Sequence, residues 1–226
     1  MLIDPHVHSS GISPCSRVTP EDIAKVALRD RLGAVVLTNH YKTAYRKEPF
    51  ALWRHSYAEE YRAAARAGEK LGVRVFFGAE VTLNDLPCAD LLIYGITPEE
   101  VEDGEDLCAL SLPALSALCR DRGWLLYQAH PFRPNAVPAD PSYLFGVEIN
   151  CHPNHAPNSK AEVFAFAAEH HLALTCGSDY HGDSYKPHCG ILIPDSIATA
   201  ADFACFLRAH PRPPLCIHDT NVKLKK

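Results

Sequence analysis

An α/β barrel of the TIM type is the fold this sequence predicts, and three observations predict it. Short apolar runs alternate with helical stretches across 226 residues, the pattern of right-handed βαβ units and a mostly parallel sheet. Some runs are apolar throughout, as in Ala34-Val35-Val36-Leu37, which suits strands covered on both faces. Imidazoles and carboxylates recur where the runs end: His6, His8, His40, Glu80, His130, Glu148, Asp179 and His181. Barrel enzymes build their sites at those strand ends. An open doubly wound sheet, the main rival, would spread the same ends along an edge too long for them to share an ion.

The elements follow in order. The first strand is expected over residues 1–4, before a loop rich in Ser, Gly and Pro. Thr19-Pro20-Glu21-Asp22 predicts a helix start: Thr caps, Pro takes the first turn and the acids favour the positive end of the dipole. Ile23, Val26, Ala27 and Leu28 give this helix an apolar face, and Gly33 marks its stop. Strands are expected over 34–38, 73–77, 90–96, 124–129, 146–149 and 173–176. Between them fall a long Ala- and Glu-rich helix over about 53–70, a helical turn after Pro98, and helices over 112–122 and 160–170. A short strand at 191–193, a helix near 200–209 and a strand at 215–217 complete the chain. The seven strand–helix units carry no internal repeat, linker or low-complexity stretch, so residues 1–226 are expected to form a single domain.

Composition narrows the function classes. Hydrophobic content of 47% and charged content of 22% exclude general disorder. The net charge of −5 comes with no basic arm or stripe, so long nucleic acid is not an expected partner. Lys223-Leu224-Lys225-Lys226 is the one basic cluster and reads as a solvated tail. No charged, apolar leader opens the chain, and no run approaches the roughly 18 apolar residues of a membrane span. Nine cysteines without a CxxC pair suggest reduced thiols and a cytoplasmic location. Cys119, Cys176 and Cys205 sit in apolar segments and read as small hydrophobes.

His6-Val7-His8 places two imidazoles on one side of an extended segment, because side chains alternate along a strand. Both can therefore reach one ion. Asp4, two residues from His6, is expected to accept a ring N–H and fix its tautomer. Glu80 ends an apolar strand, where an unpaired carboxylate is expensive, so it calls for a cation that its two oxygens could bridge. Asp179 and His181 repeat the alternating spacing.

Together, Asp4-Pro5-His6-Val7-His8, Thr38-Asn39-His40, Glu80, Ala129-His130-Pro131-Phe132-Arg133 and Gly177-Ser178-Asp179-Tyr180-His181 resemble the PHP (polymerase and histidinol phosphatase) metal-dependent phosphoesterases. Val147-Glu148-Ile149-Asn150 and Asn158-Ser159-Lys160-Ala161 extend the likeness, which runs from residue 1 to about 195. The resemblance implies a distorted (β/α)7 barrel, two or three Zn, Mn or Fe ions, and hydrolysis of phosphate esters. Carried over, His6, His8, Glu80 and Asp179 form one metal site. Glu80 bridges to a second with His130, and His40 and His181 help hold a third. Cys15 stands where the family often offers a further His or acid, and Asp90 where it usually offers a strand-four His.

Clustered divalent ions make water reactive near neutral pH and neutralise charge in phosphoryl transfer. Arg133 is the expected phosphate clamp, since a guanidinium grips two oxygens at once; Arg17 and Lys186 are second choices. His181 is assigned to catalysis as well as to metal binding. His152, His155 and His188 lie in strand-end loops and could shape the pocket, whereas His55, His170, His171, His210 and His218 read as structural. The leading expectation is a phosphatase acting on a small phosphorylated metabolite. The alternatives are a phosphodiesterase acting on short oligonucleotides or nucleoside bisphosphates, a metal-binding domain without turnover, and an amidohydrolase-like deaminase. The deaminase would often need a bridging Lys on a middle strand, and no strand end carries one.

Overall fold

The computed structural model describes residues 1–153, 159–182 and 189–217. Its strands join into one 10-stranded sheet that curves into a nearly closed barrel. Leu2–Val7 (β1) pairs in parallel with Ala34–Leu37 (β2), which pairs in parallel with Arg74–Thr82 (β4); the two-residue His40–Tyr41 (β3) extends the ladder along the upper half of β4. Asp90–Tyr94 (β5), Leu125–Gln128 (β6), Gly146–Asn150 (β7) and Ala173–Gly177 (β8) continue the ring. Closure comes from a parallel bridge between Val7 and Tyr180, where the His8 N–H donates to the Tyr180 carbonyl at 3.0 Å. Gly190–Leu192 (β9) runs antiparallel along β1 outside the ring, and Leu215–Cys216 (β10) pairs antiparallel with β9.

Within the ring, the expected parallel order fails at one strand. No helix separates β4 from β5, and β5 runs antiparallel to both β4 and β6. Its first residue, Asp90, therefore stands level with the late residues of its neighbours: opposite Thr82 on β4, with its carbonyl accepting from the Ala129 N–H just beyond β6.

Pro20–Arg29 (α1) and Phe50–Leu71 (α2) cover the outside of the first strands. Alternation along β4 sends Val75 and Phe77 toward α2 and Phe76, Gly78, Glu80 and Thr82 into the barrel. Phe77 meets Tyr57 and Tyr61 of α2 at ring distances of 5.9 and 5.0 Å. Trp53 and Tyr57 are fully enclosed, each contributing about 1.5–3 kcal/mol by leaving water. Thr19 stands at the N-cap of α1 as expected, but its side chain accepts no helix N–H; its hydroxyl donates to Asp22 at 3.0 Å. Pro98–Asp103 (α3) has the capping box that Thr19 lacks, built from Thr97 and Glu100. Leu112–Arg122 (α4) and Ser159–Glu169 (α5) flank the later strands. Ala200–Ala209 (α6) packs at the end of the barrel opposite the histidines, where Phe203 meets Phe76 and Tyr94 at 6.1 and 5.4 Å.

Candidate metal centre

The upper end of the barrel gathers the ligand-type side chains. His6 and His8 point inward from the end of β1 while Val7, between them, packs outward with Val18, Ile23 and Val35. Glu80 enters from β4 opposite His40. Asp179 follows β8 and His130 follows β6, and both take left-handed backbone angles, φ 54° and 30°. Non-glycine residues seldom adopt that region, at a cost of order 1–3 kcal/mol, and such strain collects at functional sites.

His6 Nε2 lies 3.4 Å from Asp179 Oδ1 and 3.4 Å from Glu80 Oε1. His8 Nε2 lies 3.1 Å from the same Asp179 oxygen and 3.5 Å from Glu80 Oε2. The Glu80 carboxylate is split between two sides. Oε1 also meets His130 Nε2 at 3.0 Å, and Oε2 meets His40 Nδ1 at 2.6 Å. His40 and His181 face each other through their Nε2 atoms at 3.4 Å.

These separations fit a metal. Nitrogen and oxygen ligands about 2.0–2.1 Å from one ion stand roughly 3.3 Å apart in a tetrahedral set, close to the spacing of His6, His8, Glu80 and Asp179. All four residues are at most 5% exposed. His6 Nε2 and His8 Nε2 make no hydrogen bond despite burial, and atoms so placed need a partner. A second set joins Glu80, Asp90 and His130, and a third joins His8, His40 and His181. His8 thus belongs to two sets, where the sequence assigned it to one.

The orienting shell departs from expectation. Asp4 does not hold the His6 ring: its carboxylate accepts from the backbone N–H groups of His6 and Ser178 and from the Ser178 hydroxyl. Glu148 takes the role expected of Asp4, accepting from His6 Nδ1 at 2.7 Å. Its other oxygen takes the His130 N–H at 3.1 Å and the Asn150 amide at 2.9 Å. Gly177 makes room for this contact, since a Cβ there would lie 2.5 Å from Glu148 Oε1. Both Asp90 oxygens are engaged, one by the Thr82 hydroxyl and one by Arg133, each at 2.6 Å.

Charges settle accordingly in the metal-free protein. Burial opposes a charged His6, but Glu148, Asp179 and Glu80 outweigh it and raise the ring well above its usual value. His40 is likewise raised, to about 10, against burial and chiefly by Glu80. Burial, His181 and His40 lower His8. Glu80 and Asp179 stay ionised because surrounding imidazoles overcome their desolvation. Cys15 is exposed, and despite partial desolvation hydrogen bonds to His181 and His40 bring its thiol down to about 6.

Arg133 stands 37% exposed at the edge of the centre, paired with Asp90. Arg17 is exposed, its backbone N–H donating to the His181 carbonyl. His152 lies in the loop after β7, with its N–H on Asn150. Lys186, His155, His188 and His218 lie outside the described residues. Three residues received no specific role from the sequence. Glu148, counted there only among the strand-end carboxylates, is one. Tyr45 is another, edge-on to His40 at 5.4 Å and touching Cys15. Lys160, at the start of α5, lines a small cleft with His130 and Arg133. A tyrosine in a strand-end loop is the signal that could have marked Tyr45.

No family model matches the sequence, and no curated protein matches it. Among solved structures, the fold recurs at low sequence identity. PsfC from Pseudomonas syringae is 22% identical, with a TM-score of 0.63 over 90% of this chain and 87% of its own. A two-domain Bacteroides vulgatus protein described as containing a predicted PHP-like metal-dependent phosphoesterase is 18% identical, with a TM-score of 0.58 over 80% of this chain. The match spans 52% of that longer protein. An amidohydrolase from Chromobacterium violaceum, solved with bound sulfate and no metal, is 16% identical, with a TM-score of 0.54 over 86% of this chain and 93% of its own. No helix among the described residues is long and apolar enough to cross a membrane.

Proposed function

We propose that this chain is a metal-dependent phosphoesterase that hydrolyses a small phosphorylated molecule. The observation that carries the reading is the buried set of His6, His8, Glu80 and Asp179, with ligand atoms mutually within 4.8 Å. These four would hold one divalent ion. Glu80 and His130 would hold a second, and His40 and His181, with Cys15 beside them, a third. Bound there, the ions supply Lewis acidity that lowers the pKa of water and offsets charge on a phosphoryl group.

The chain's own groups do the rest. Glu148 keeps the His6 proton on Nδ1, leaving the Nε2 lone pair directed at the centre. Asp90 and Thr82 fix the Arg133 guanidinium, whose remaining N–H groups suit two oxygens of a phosphate. His181 donates from Nδ1 to the Asp179 carbonyl at 2.8 Å, which keeps its Nε2 lone pair turned toward His40 and free for the third ion. The acidic balance of the chain supports a small substrate over a long polymer.

The test is phosphate release from small phosphomonoesters and short oligonucleotides, using Mn(II)-loaded protein with a chelated control. Release from monoesters that chelation and Asp179→Ala both abolish supports the reading. Nucleotide release from oligonucleotides alone moves it to a phosphodiesterase. No release from a folded, metal-loaded protein overturns it.

A further inference from the structure

A second cluster of metal-ligating side chains lies apart from the histidines. Cys151 follows β7, Cys176 lies on β8 and Cys189 leads into β9, so three segments deliver one thiol each. All three residues are buried, with sulfurs mutually within 4.8 Å. The Cys151 and Cys176 sulfurs are 3.7 Å apart. Three sulfurs held about 2.3 Å from one ion stand roughly 3.8–4.0 Å from one another, so the spacing suits a shared ion.

The location separates this cluster from the first centre. Gly177 faces the barrel interior beside Glu148 and His6, so its neighbour Cys176 faces outward. There the Cys176 thiol donates to the Cys216 carbonyl of β10 at 3.5 Å. This is the seam of the barrel, where β8 meets the β9–β10 flap and the ring closes on β1 through one bridge.

We propose that Cys151, Cys176 and Cys189 form a three-sulfur site for one thiophilic d10 cation of the Zn(II) class, which ties β7, β8 and β9 together across the seam. The donor set is all sulfur, the choice of soft ions, whereas the mixed imidazole and carboxylate set above accepts harder ones. Three S–H bonds break and their protons go to solvent as three metal–thiolate bonds form, and no electrons move. The inference does not depend on the phosphoesterase reading.

The experiment uses the full chain carrying Cys15→Ser, which removes the thiol nearest the histidines. Cd(II) is titrated while the thiolate-to-metal charge-transfer band in the ultraviolet is followed; imidazole and carboxylate ligands give no such band. The expected result is a band that saturates, survives Cys205→Ser and is lost in Cys176→Ser and Cys189→Ser. Should either variant fail to fold, the unsubstituted chain is alkylated after Zn(II) loading and its peptides are weighed by mass spectrometry. Cys151, Cys176 and Cys189 protected together then support the site. Absence of a band from folded protein, or equal labelling of the three with and without Zn(II), overturns it. So does an intact mass two hydrogens low, with Cys151 and Cys176 joined.

Discussion

Glu148→Gln isolates what the buried carboxylate does for the histidines. Glu148 is fully enclosed and serves three donors: His6 Nδ1 at 2.7 Å, the His130 N–H at 3.1 Å and the Asn150 amide at 2.9 Å. Glutamine has the same shape and keeps one oxygen for His130 and Asn150. It then turns an NH2 group toward His6 Nδ1, so two donors face each other. The ring escapes by moving its proton to Nε2, the atom aimed at Glu80 and Asp179, and the lone pair offered to a metal is gone. Loss of such an outer partner lowers metal affinity about 10–100-fold, or about 1.4–2.7 kcal/mol. Glu148→Ala instead strands all three donors, at about 1–3 kcal/mol each, so it should unfold the metal-free protein at clearly lower temperature than the Gln variant. Asp4→Asn should leave metal affinity near wild type, because Asp4 touches only backbone N–H groups and Ser178. Affinity is read by competition with a chromogenic chelator and stability by thermal melts of stripped protein. Unchanged affinity in Glu148→Gln, or a loss in Asp4→Asn equal to it, would refute the reasoning.

Four further outcomes are expected. Metal affinity should rise with pH, because His6 and His40 must give up protons that the metal-free protein holds above the usual imidazole value, to about 10 for His40. The sign for folding is opposite: a raised imidazole stabilises the metal-free fold fully below its unfolded value, 6.5, and that stability is lost as pH climbs toward about 10. Thermal melts of stripped protein across this range check it. Gly177→Ala would drive a methyl to 2.5 Å from both Glu148 Oε1 and His6 Cβ, costing about 1–3 kcal/mol by overpacking and lowering metal affinity, by melt and chelator competition. Arg133→Ala should raise KM for a phosphomonoester at least about tenfold, the worth of one charge-assisted pair of about 1.4 kcal/mol or more; stability should fall by about 1–3 kcal/mol, because the buried Asp90 loses a donor. Cys15, with its thiol at about 6, should be the first cysteine alkylated by iodoacetamide at neutral pH in stripped protein, and metal loading should suppress that labelling in a peptide mass map.

What was legible in the sequence and what was not divide along physical lines. Periodicity located the strands and helices to within a few residues, and α4 and α6 fall at the expected bounds, because burial of one face writes itself into local spacing. Direction does not. An apolar run such as Asp90-Leu91-Leu92-Ile93-Tyr94 reads the same whichever way it crosses the barrel, and only the absence of a helix between it and β4 forces the antiparallel course. That course is what brings Asp90 to the histidine end, through the start of its strand. Proximity along the chain misled in the same way at His6. Asp4 is two residues off and spends its oxygens on backbone N–H groups and the Ser178 hydroxyl, whereas Glu148, 142 residues away, holds the ring. Inward positions alternate along β1, so Asp4 and His6 occupy successive layers of the barrel. A carboxylate meets the imidazole edge-on only from a strand at the same height, and β7 reaches that height by pairing with β8 where β8 closes on β1. Glu148 ends an apolar run as the ligands do and was readable as a strand-end carboxylate; its pairing with His6 was not, because the ring that brings the two together exists only once the barrel has closed.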